Sequence, residues 1–260
     1  MSSHPTHIAL DGVAMAFGTR PVFRHLSCRF PPGAISVILG GSGSGKSTIL
    51  RMIGGLVRPQ AGRILVDGDD VTRCSKRQLY DVRRRLGMLF QGGALLDSMT
   101  VFDNLAFPLR ERSRLDAAAI SRTVHEKLEA VGLHDVDRLL PRQLSGGMAK
   151  RVGLARALIG SPAVLLCDEP FSGLDPISSR RIEALLVRMN RTLGMTMLVV
   201  SHDVESTRRM ADHVVLIEGG GAVEGPFATL RDSGTPYVRT FLSDEVDETL
   251  VDEAQQALAR

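Results

Sequence analysis

The sequence predicts an α/β protein with a mostly parallel sheet, an N-terminal antiparallel β-subdomain, a helical subdomain insertion and a short C-terminal helical tail. Three observations predict this class. Short apolar runs with β preference alternate with segments of helical periodicity, which is typical of α/β folds. The opening stretch (8–17, then 22–30) has the pattern of antiparallel strands around a turn. Strand signals are sparse from about 92 to 156, where helical spacing takes over.

The core strands are predicted from continuous apolar runs, a pattern typical of parallel strands buried on both faces. The five best candidates are 35–39, 86–90, 164–167, 197–200 and 214–217. Helical periodicity predicts the buried faces of two helices. The first face, in the insertion, comprises Ile120, Val124, Leu128 and Val131, and the second comprises Ile182, Leu185, Leu186, Met189 and Leu193.

The composition excludes several classes of protein. The chain has 260 residues, of which 43% are hydrophobic and 23% charged, so it can bury a substantial core and is neither disordered nor collagen-like. The net charge is only +3, aromatic residues make up 4%, and tryptophan is absent. A single-strand nucleic-acid binder needs stacking surfaces that this chain lacks, so we expect no nucleic-acid partner.

The cysteines and the apolar segments predict a soluble cytoplasmic protein. Cys28, Cys74 and Cys167 are far apart, which indicates neither a disulfide framework nor a zinc site and fits a reducing compartment. The N-terminus has no secretory pattern, and no apolar run approaches the roughly 20 residues of a membrane span. Any work at a membrane would therefore be done through a partner.

The last residues differ in composition from the rest. Residues 244–260 carry six carboxylates against Arg260 alone, so we assign 1–243 to the main domain and 244–260 to an acidic tail. Val246, Leu250, Ala254 and Leu258 recur every four residues, which predicts one stripe of an amphipathic helix. The tail would be either a solvated capping helix or a docking element for a partner.

A phosphate-binding loop follows the predicted strand 35–39 and opens a helical run from Thr48 onward. Glycines allow successive backbone N–H groups to turn toward phosphate oxygens, and the helix N-terminus adds partial positive charge. In this pattern the lysine reaches the β- and γ-phosphates and the next hydroxyl binds Mg²⁺. The loop consists of Gly40, Gly41, Ser42, Gly43, Ser44, Gly45, Lys46 and Ser47.

Two carboxylates follow another buried strand. Asp168 and Glu169 come directly after 164–167, at the sheet edge where open α/β proteins bind ligands. Asp168 would hold Mg²⁺, and Glu169 would orient or deprotonate an attacking water. An isolated Asp-Glu pair would be a surface turn, but together with the phosphate loop it predicts phosphoryl-transfer chemistry.

A second hydroxyl-and-glycine helix start lies at 144–148, ahead of a helical run over 149–158. Such a start can bind an anion, although Ser-Gly-Gly alone is more often a plain helix cap. One nucleotide needs only one phosphate-binding helix start. Two such starts on one chain therefore predict a head-to-tail dimer in which each copy completes the other's ATP site.

The order of these motifs resembles the ATPase subunit of ABC transporters over nearly the whole chain, which implies a P-loop NTPase core of ABC type. The resemblance implies that Phe17 stacks on adenine, that Gln91 contacts Mg²⁺ and the attacking water, and that His202 contacts the γ-phosphate. ATP and Mg²⁺ are the implied cofactors. The implied catalytic residues are Glu169, His202, Gln91 and Lys46; the nucleotide-binding residues are Phe17, 40–48 and Gln91; the metal ligands are Ser47, Gln91 and Asp168; the contacts to the opposite subunit's ATP are Ser145, Gly146 and Gly147; and the dimer-interface loop contains Asp175.

A narrower resemblance lies in residues 88–111, together with 144–148 and 168–171. These stretches are similar to the ATPases of MCE-type phospholipid transporters, the Mla systems of Gram-negative bacteria. That family implies two ATPase copies under a permease dimer, an MCE lipid-binding protein, a STAS-domain protein, and a place on the cytoplasmic face of the inner membrane. Phe102, Leu105, Phe107 and Leu109 would contribute to a permease groove or, as we favour for each one alone, to ordinary core.

Three alternatives stay open. The chain could serve an ABC importer or exporter for another solute, it could be a soluble ABC ATPase without a permease, or it could be a binding module that does not hydrolyse ATP. Soluble ABC ATPases usually carry a second cassette or extra domains, and this chain has one phosphate loop. Glu169 and His202 argue against a module without hydrolysis.

Overall fold

A computed structural model describes residues 8–243, so the predicted acidic tail 244–260 lies outside the described residues. The described chain forms two compact units. The first contains the residues up to Cys74 together with those from Val200 onward, and the second runs from Ser75 to Val199. The second unit is therefore an insertion into the first along the chain.

The secondary structure alternates as the sequence predicts. The strands are β1 (Ile8–Phe17), β2 (Arg20–Phe30), β3 (Ile35–Gly40), β4 (Ala61–Val66), β5 (Asp69–Asp70), β6 (Leu86–Leu89), β7 (Val164–Asp168), β8 (Thr196–Val200), β9 (His213–Glu218) and β10 (Gly221–Gly225). The helices are α1 (Lys46–Ile53), α2 (Lys76–Arg84), α3 (Val101–Arg112), α4 (Ala117–Ala130), α5 (Gly146–Ala157), α6 (Pro176–Leu193), α7 (Val204–Met210), α8 (Phe227–Ser233) and α9 (Pro236–Leu242).

The first unit contains the antiparallel subdomain, with strands in the order β2-β1-β4-β5. Strands β1 and β2 form a hairpin in which Ile8 pairs with Phe30 and Phe17 pairs with Arg20. The register of this hairpin shifts at three points along β1, a type of irregularity that allows strands to bend. Its inward side chains, among them Leu10, Phe23 and Leu26, are fully or almost fully buried.

The same unit contains β3, which lies parallel to β9, and β9 pairs antiparallel with β10. All six residues of β3 are buried, as expected for a strand covered on both faces. The carboxyl end of β3 leads into α1 through the phosphate loop. This arrangement places the loop at the sheet edge where the sequence predicts ligand binding.

The second unit carries β8, β7 and β6 in that spatial order, with β6 and β7 parallel. Within 92–156 the described elements are α3, α4, a short 3₁₀ turn and α5. The predicted buried faces are confirmed for α4 and for most of α6. Leu193 is an exception, because it is the last residue of α6 before the left-handed Gly194 and is 59% exposed.

Helix starts are the least accurate part of the sequence prediction. Helix α5 begins at Gly146 rather than at 149, because the hydroxyl of Ser145 caps it by accepting a hydrogen bond from the Met148 N–H. Helix α1 begins at Lys46, two residues before the predicted Thr48. Among residues 8–243, none of the helices has the length and apolar character needed to cross a membrane.

Candidate functional site

The phosphate loop turns around its own lysine. Lys46, the first residue of α1, is 9% exposed, and its Nζ donates hydrogen bonds to the carbonyl oxygens of Gly40 at 2.7 Å and Gly41 at 3.0 Å. The ammonium group is thereby held inside the loop rather than in solvent. Because the side chain is already ordered, binding of a phosphate group there would cost less side-chain entropy than binding to a free lysine.

The loop backbone is one that only glycine can adopt at a decisive point. Gly45 has a φ of 96°, and a Cβ added there would lie 2.4 Å from Val22 Cγ1 and 2.5 Å from Phe23 Cζ, both on β2. At Gly41, by contrast, an added Cβ would meet nothing within 4 Å. The Ser44 hydroxyl is buried without a hydrogen-bond partner among the described residues. A tight backbone with an unsatisfied buried hydroxyl fits a phosphate group.

The first unit also carries Phe17 and His202. Phe17 ends β1 at the tip of the hairpin and is 52% exposed, so its ring is accessible for stacking. His202 is exposed, and the preceding residue is fixed because the Ser201 N–H donates to the Ile38 carbonyl oxygen at 3.2 Å. Since Ile38 lies two residues before Gly40, this hydrogen bond anchors the chain at His202 to the strand that leads into the phosphate loop.

The second unit carries the two carboxylates. Asp168 ends β7 and is 3% exposed, whereas Glu169 is half-buried and has a φ of 49°. A left-handed conformation is strained for a residue with a Cβ and persists only when its surroundings impose it. Here Ser172 imposes it, because both its N–H (3.2 Å) and its hydroxyl (3.0 Å) donate to the Glu169 carbonyl oxygen.

Gln91 and Glu169 are tied together by a lysine that belongs to none of the sequence motifs. Lys150, on α5, is 7% exposed, and its Nζ donates to the carbonyl oxygens of Gln91 and Glu169 and to the Ser172 hydroxyl. Burial lowers the pKa of this ammonium, and the negative charges of Glu169 and Asp168 partly oppose that shift. Lys150 is one of only four lysines in the chain, and this rarity was its one sequence signal.

The Ser-Gly-Gly segment forms an open helix start. Ser145 and Gly146 are exposed and Gly147 is partly so, which makes the start of α5, where backbone N–H groups lack helical partners, accessible to solvent. Such groups can bind an anion that approaches from outside the subunit. Asp175 caps α6, because its Oδ1 accepts hydrogen bonds from the Ile177 and Ser178 N–H groups at 3.0 Å. These hydrogen bonds, above all those from Ser178, hold the pKa of Asp175 below its usual value.

The predicted metal ligands are a serine hydroxyl, a glutamine amide and a carboxylate: Ser47, Gln91 and Asp168. Oxygen donors of these kinds suit Mg²⁺, which uses one or two protein carboxylates together with phosphate oxygens and waters. Among residues 8–243 there is no cluster of three or more histidine, cysteine or acidic side chains that could hold a metal by themselves. Hydroxyl, amide and carboxylate oxygens are each donors of a kind that fits Mg²⁺.

A phosphate loop between a buried parallel strand and a helix, together with a carboxylate pair at the end of another strand, defines a P-loop nucleotide-hydrolysing protein. The profile of the ABC transporter family matches residues 23–172. The chain therefore belongs to the ABC transporter family, as a member of its ATPase class, which binds ATP with Mg²⁺. ATPases of this family act as dimers in association with a membrane permease.

Comparisons with individual proteins support the same family. The chain is 46% identical to the intermembrane phospholipid transport system ATP-binding protein MlaF of Haemophilus influenzae, over 92% of this chain and 91% of that one. It is 41% identical to the probable ribonucleotide transport ATP-binding protein mkl of Mycobacterium leprae, over 95% and 75%. Its structure resembles the ATP-binding cassette MJ0796, a dimer in a post-hydrolysis state bound to ADP and Pi, with a TM-score of 0.77, 29% identity and coverage of 84% and 98%.

Proposed function

We propose that this chain is the ATP-hydrolysing motor subunit of an ABC transporter that moves phospholipid between the inner and outer membranes, and so maintains outer-membrane lipid asymmetry. Its place would be the cytoplasmic face of the inner membrane, where it binds through the permease. The identity to the phospholipid transport protein MlaF supports this cargo. Residues 88–111, the stretch that carries the narrower resemblance, point to the same transporter class.

In this proposal the first unit binds the nucleotide. The N–H groups of 40–48 and the ammonium of Lys46 neutralise the triphosphate, the exposed ring of Phe17 stacks on adenine, and His202 contacts the γ-phosphate. Lys46 is the strongest contributor, because a hydrogen bond between charged groups stabilises more than one between neutral groups. Its buried position also removes competing water.

The second unit supplies the hydrolytic groups. Glu169 orients or deprotonates the attacking water, and Gln91, in the turn that follows β6, contacts that water. Mg²⁺, held by Ser47, Gln91 and Asp168, would neutralise the charge that develops on the phosphate oxygens. The observation that carries this assignment is Glu169 itself, a carboxylate placed directly after a buried strand on a strained backbone that Ser172 and Lys150 both hold.

The proposal also assigns a dimer. The solvent-accessible start of α5, with Ser145, Gly146 and Gly147, would contact the γ-phosphate bound by the opposite copy, and Asp175 would lie in the loop that crosses the interface. Closing and reopening of the dimer would drive the permease, since a ligand does work only through different affinities for two states. An MCE lipid-binding protein and a STAS-domain protein would complete the transporter.

The test is Glu169→Gln in the full-length protein. The variant keeps the shape of the side chain but loses the base, so we expect hydrolysis to fall by about 10²-fold or more, a typical effect of removing a general base. MgATP binding should persist, and the dimer should accumulate, as measured by light scattering after gel filtration. Glu126→Gln, an exposed change on α4, is the matched control and should hydrolyse at the parental rate.

Two results would contradict the proposal. Parental turnover by Glu169→Gln would remove the assigned role of the carboxylate. Full-rate hydrolysis by a strictly monomeric species, verified by mass at the assay concentration, would remove the shared site.

The second candidate function is transport of another solute, and the 41% identity to the probable ribonucleotide transport protein favours considering it. Purifying the tagged protein from native membranes in detergent distinguishes the two. Co-purification of a permease and a lipid-loaded MCE protein supports phospholipid transport. A permease that arrives without lipid-binding partners supports the second candidate.

A further inference from the structure

Lys150 makes an unusual set of contacts for a helical lysine. Its Nζ donates to the Gln91 carbonyl oxygen, to the Glu169 carbonyl oxygen at 3.2 Å and to the Ser172 hydroxyl at 3.3 Å. An ammonium group has three protons to donate, so these contacts can use all of them. All three acceptors lie on the two segments to which the proposed function assigns water activation.

We infer that Lys150 is a positioning residue for hydrolysis, which sets the Glu169 backbone and ties it to Gln91 and to α5. The inference rests on the proposed function, because it assumes that Glu169 activates the water. Lys150 itself need not touch the nucleotide. It acts through the carbonyl oxygen of the residue whose carboxylate does the chemistry.

The strained turn at Glu169 supports this role. A φ of 49° is strained for a glutamate, so the conformation needs contacts that hold it. Ser172 supplies two hydrogen bonds to the carbonyl oxygen, and Lys150 supplies one to the same atom and another to the Ser172 hydroxyl. Lys150 therefore orients both the strained carbonyl and the hydroxyl that helps to hold it.

Helix α5 holds the chain after Gln91 at a second point. Arg156 donates to the carbonyl oxygens of Gly93 at 3.1 Å and Ala94 at 2.7 Å, and burial lowers the pKa of its guanidinium. At Gly153 a Cβ would lie 3.0 Å from Leu89 Cδ1 and 3.2 Å from Gly93 Cα, so α5 approaches this segment closely. The helix that begins with the Ser-Gly-Gly segment is thus fastened directly to the Gln91 segment, and through Lys150 to Glu169.

A purely structural role is the alternative, since a buried cation with three partners also stabilises the unit. The two roles predict different kinetics. A structural role would lower the amount of folded protein or its melting temperature without changing turnover per folded molecule. A positioning role lowers kcat with little change in KM, because the phosphate-binding residues of the first unit are untouched.

The experiment compares Lys150→Met and Lys150→Arg in the full-length protein purified with its native membrane partners. Methionine keeps an unbranched stem but donates no hydrogen bond, whereas arginine keeps the charge and the donors. We expect Lys150→Met to lower kcat by about 10–100-fold, the range for a small misplacement of a catalytic group, with KM for ATP unchanged within about threefold. Lys150→Arg should recover part of kcat.

Lys127→Met is the matched control, because Lys127 is a partly exposed lysine on α4 whose Nζ donates to the Ser161 hydroxyl. It should leave kcat and KM at parental values. Ser172→Ala should lower kcat in the same direction as Lys150→Met. Because both side chains act on the Glu169 carbonyl, the double variant should lose less than the product of the two single effects.

Three results would overturn the inference: parental kcat in folded Lys150→Met, a rise in KM without a fall in kcat, or an arginine variant no better than the methionine variant. If Lys150→Met fails to fold, Ser172→Ala and Lys150→Arg test the inference in its place. Parental kcat in Ser172→Ala then overturns it. These outcomes are separate from failure of the proposed role of Glu169, which would appear as parental turnover by Glu169→Gln.

Discussion

Gly45 provides a sharp test of the phosphate loop. It has a positive φ and close neighbours on β2, whereas the nearby Gly41 has neither and serves as the comparison. An alanine at Gly45 would carry a Cβ at a φ of 96°, with Val22 Cγ1 and Phe23 Cζ only 2.4 Å and 2.5 Å away. An alanine at Gly41 would have no heavy atom within 4 Å of its Cβ. Gly45→Ala should therefore destabilise the fold, and Gly41→Ala should not.

The magnitude follows from the two constraints. A positive φ at a residue with a Cβ costs about 1–3 kcal/mol. Overpacking against two side chains of a well-packed strand costs about 1–3 kcal/mol more. The sum is about 2–6 kcal/mol, which should lower the melting temperature by about 5–20 °C for a protein of this size. Gly41→Ala should stay within about 0.5 kcal/mol of the parental protein, as surface changes usually do.

Circular dichroism monitors thermal unfolding in the absence of nucleotide. The melting temperatures of the parental protein, Gly45→Ala and Gly41→Ala are then compared. Omitting nucleotide matters, because a ligand that binds only the folded state raises the apparent stability. Equal melting temperatures for the two variants would show that β2 does not restrict the loop at Gly45, and the reasoning about the loop backbone would be wrong.

Three further predictions concern other parts of the molecule. Lys46→Ala should weaken ATP binding by about 10–100-fold in a fluorescent-nucleotide titration, since it removes a charge-assisted hydrogen bond. Burial lowers the pKa of His213, although Glu224 partly opposes this, so the unfolded chain binds the proton at a higher pH than the folded chain does. The free energy of unfolding should therefore fall as pH falls below the ordinary histidine pKa, and it should fall less in His213→Gln. Denaturant titrations at pH 8 and 5.5 test this, and equal losses in the parental protein and the variant would contradict it. All three cysteines are buried, and burial raises the pKa of Cys167 to about 12 and also raises that of Cys28. A thiol reagent at pH 8 should therefore label no cysteine in the native protein and all three after denaturation.

The sequence predicts the phosphate loop and its strand well because their determinants are local. The buried strand β3 shows as a continuous apolar run, and the loop glycines follow it directly. What the sequence does not show is why Gly45 has to be glycine. The atoms that exclude a Cβ there belong to Val22 and Phe23, which are distant in sequence and reach the loop only after the hairpin has folded.

Lys150 escaped prediction for a similar reason. A lysine in a helix is ordinarily a solvated residue, and two of its three partners are backbone carbonyl oxygens, which any sequence supplies. The apolar residues of α3 show the limit in the other direction. Leu105 and Leu109 are core residues, as favoured from the sequence, but Phe107 is 43% exposed, because a helix buries only one stripe of a closely spaced apolar cluster.

The contact between Gly45 and β2 has a consequence for genetics. Phe23 lies outside every nucleotide motif, and a screen would classify a change there as a simple folding defect. Its ring nevertheless lies directly against Gly45, so a smaller side chain at position 23 would leave the loop room to change conformation. If Lys46 binds phosphate as proposed, alleles at Phe23 should then mimic its loss, and raising the cellular ATP supply should partly suppress them.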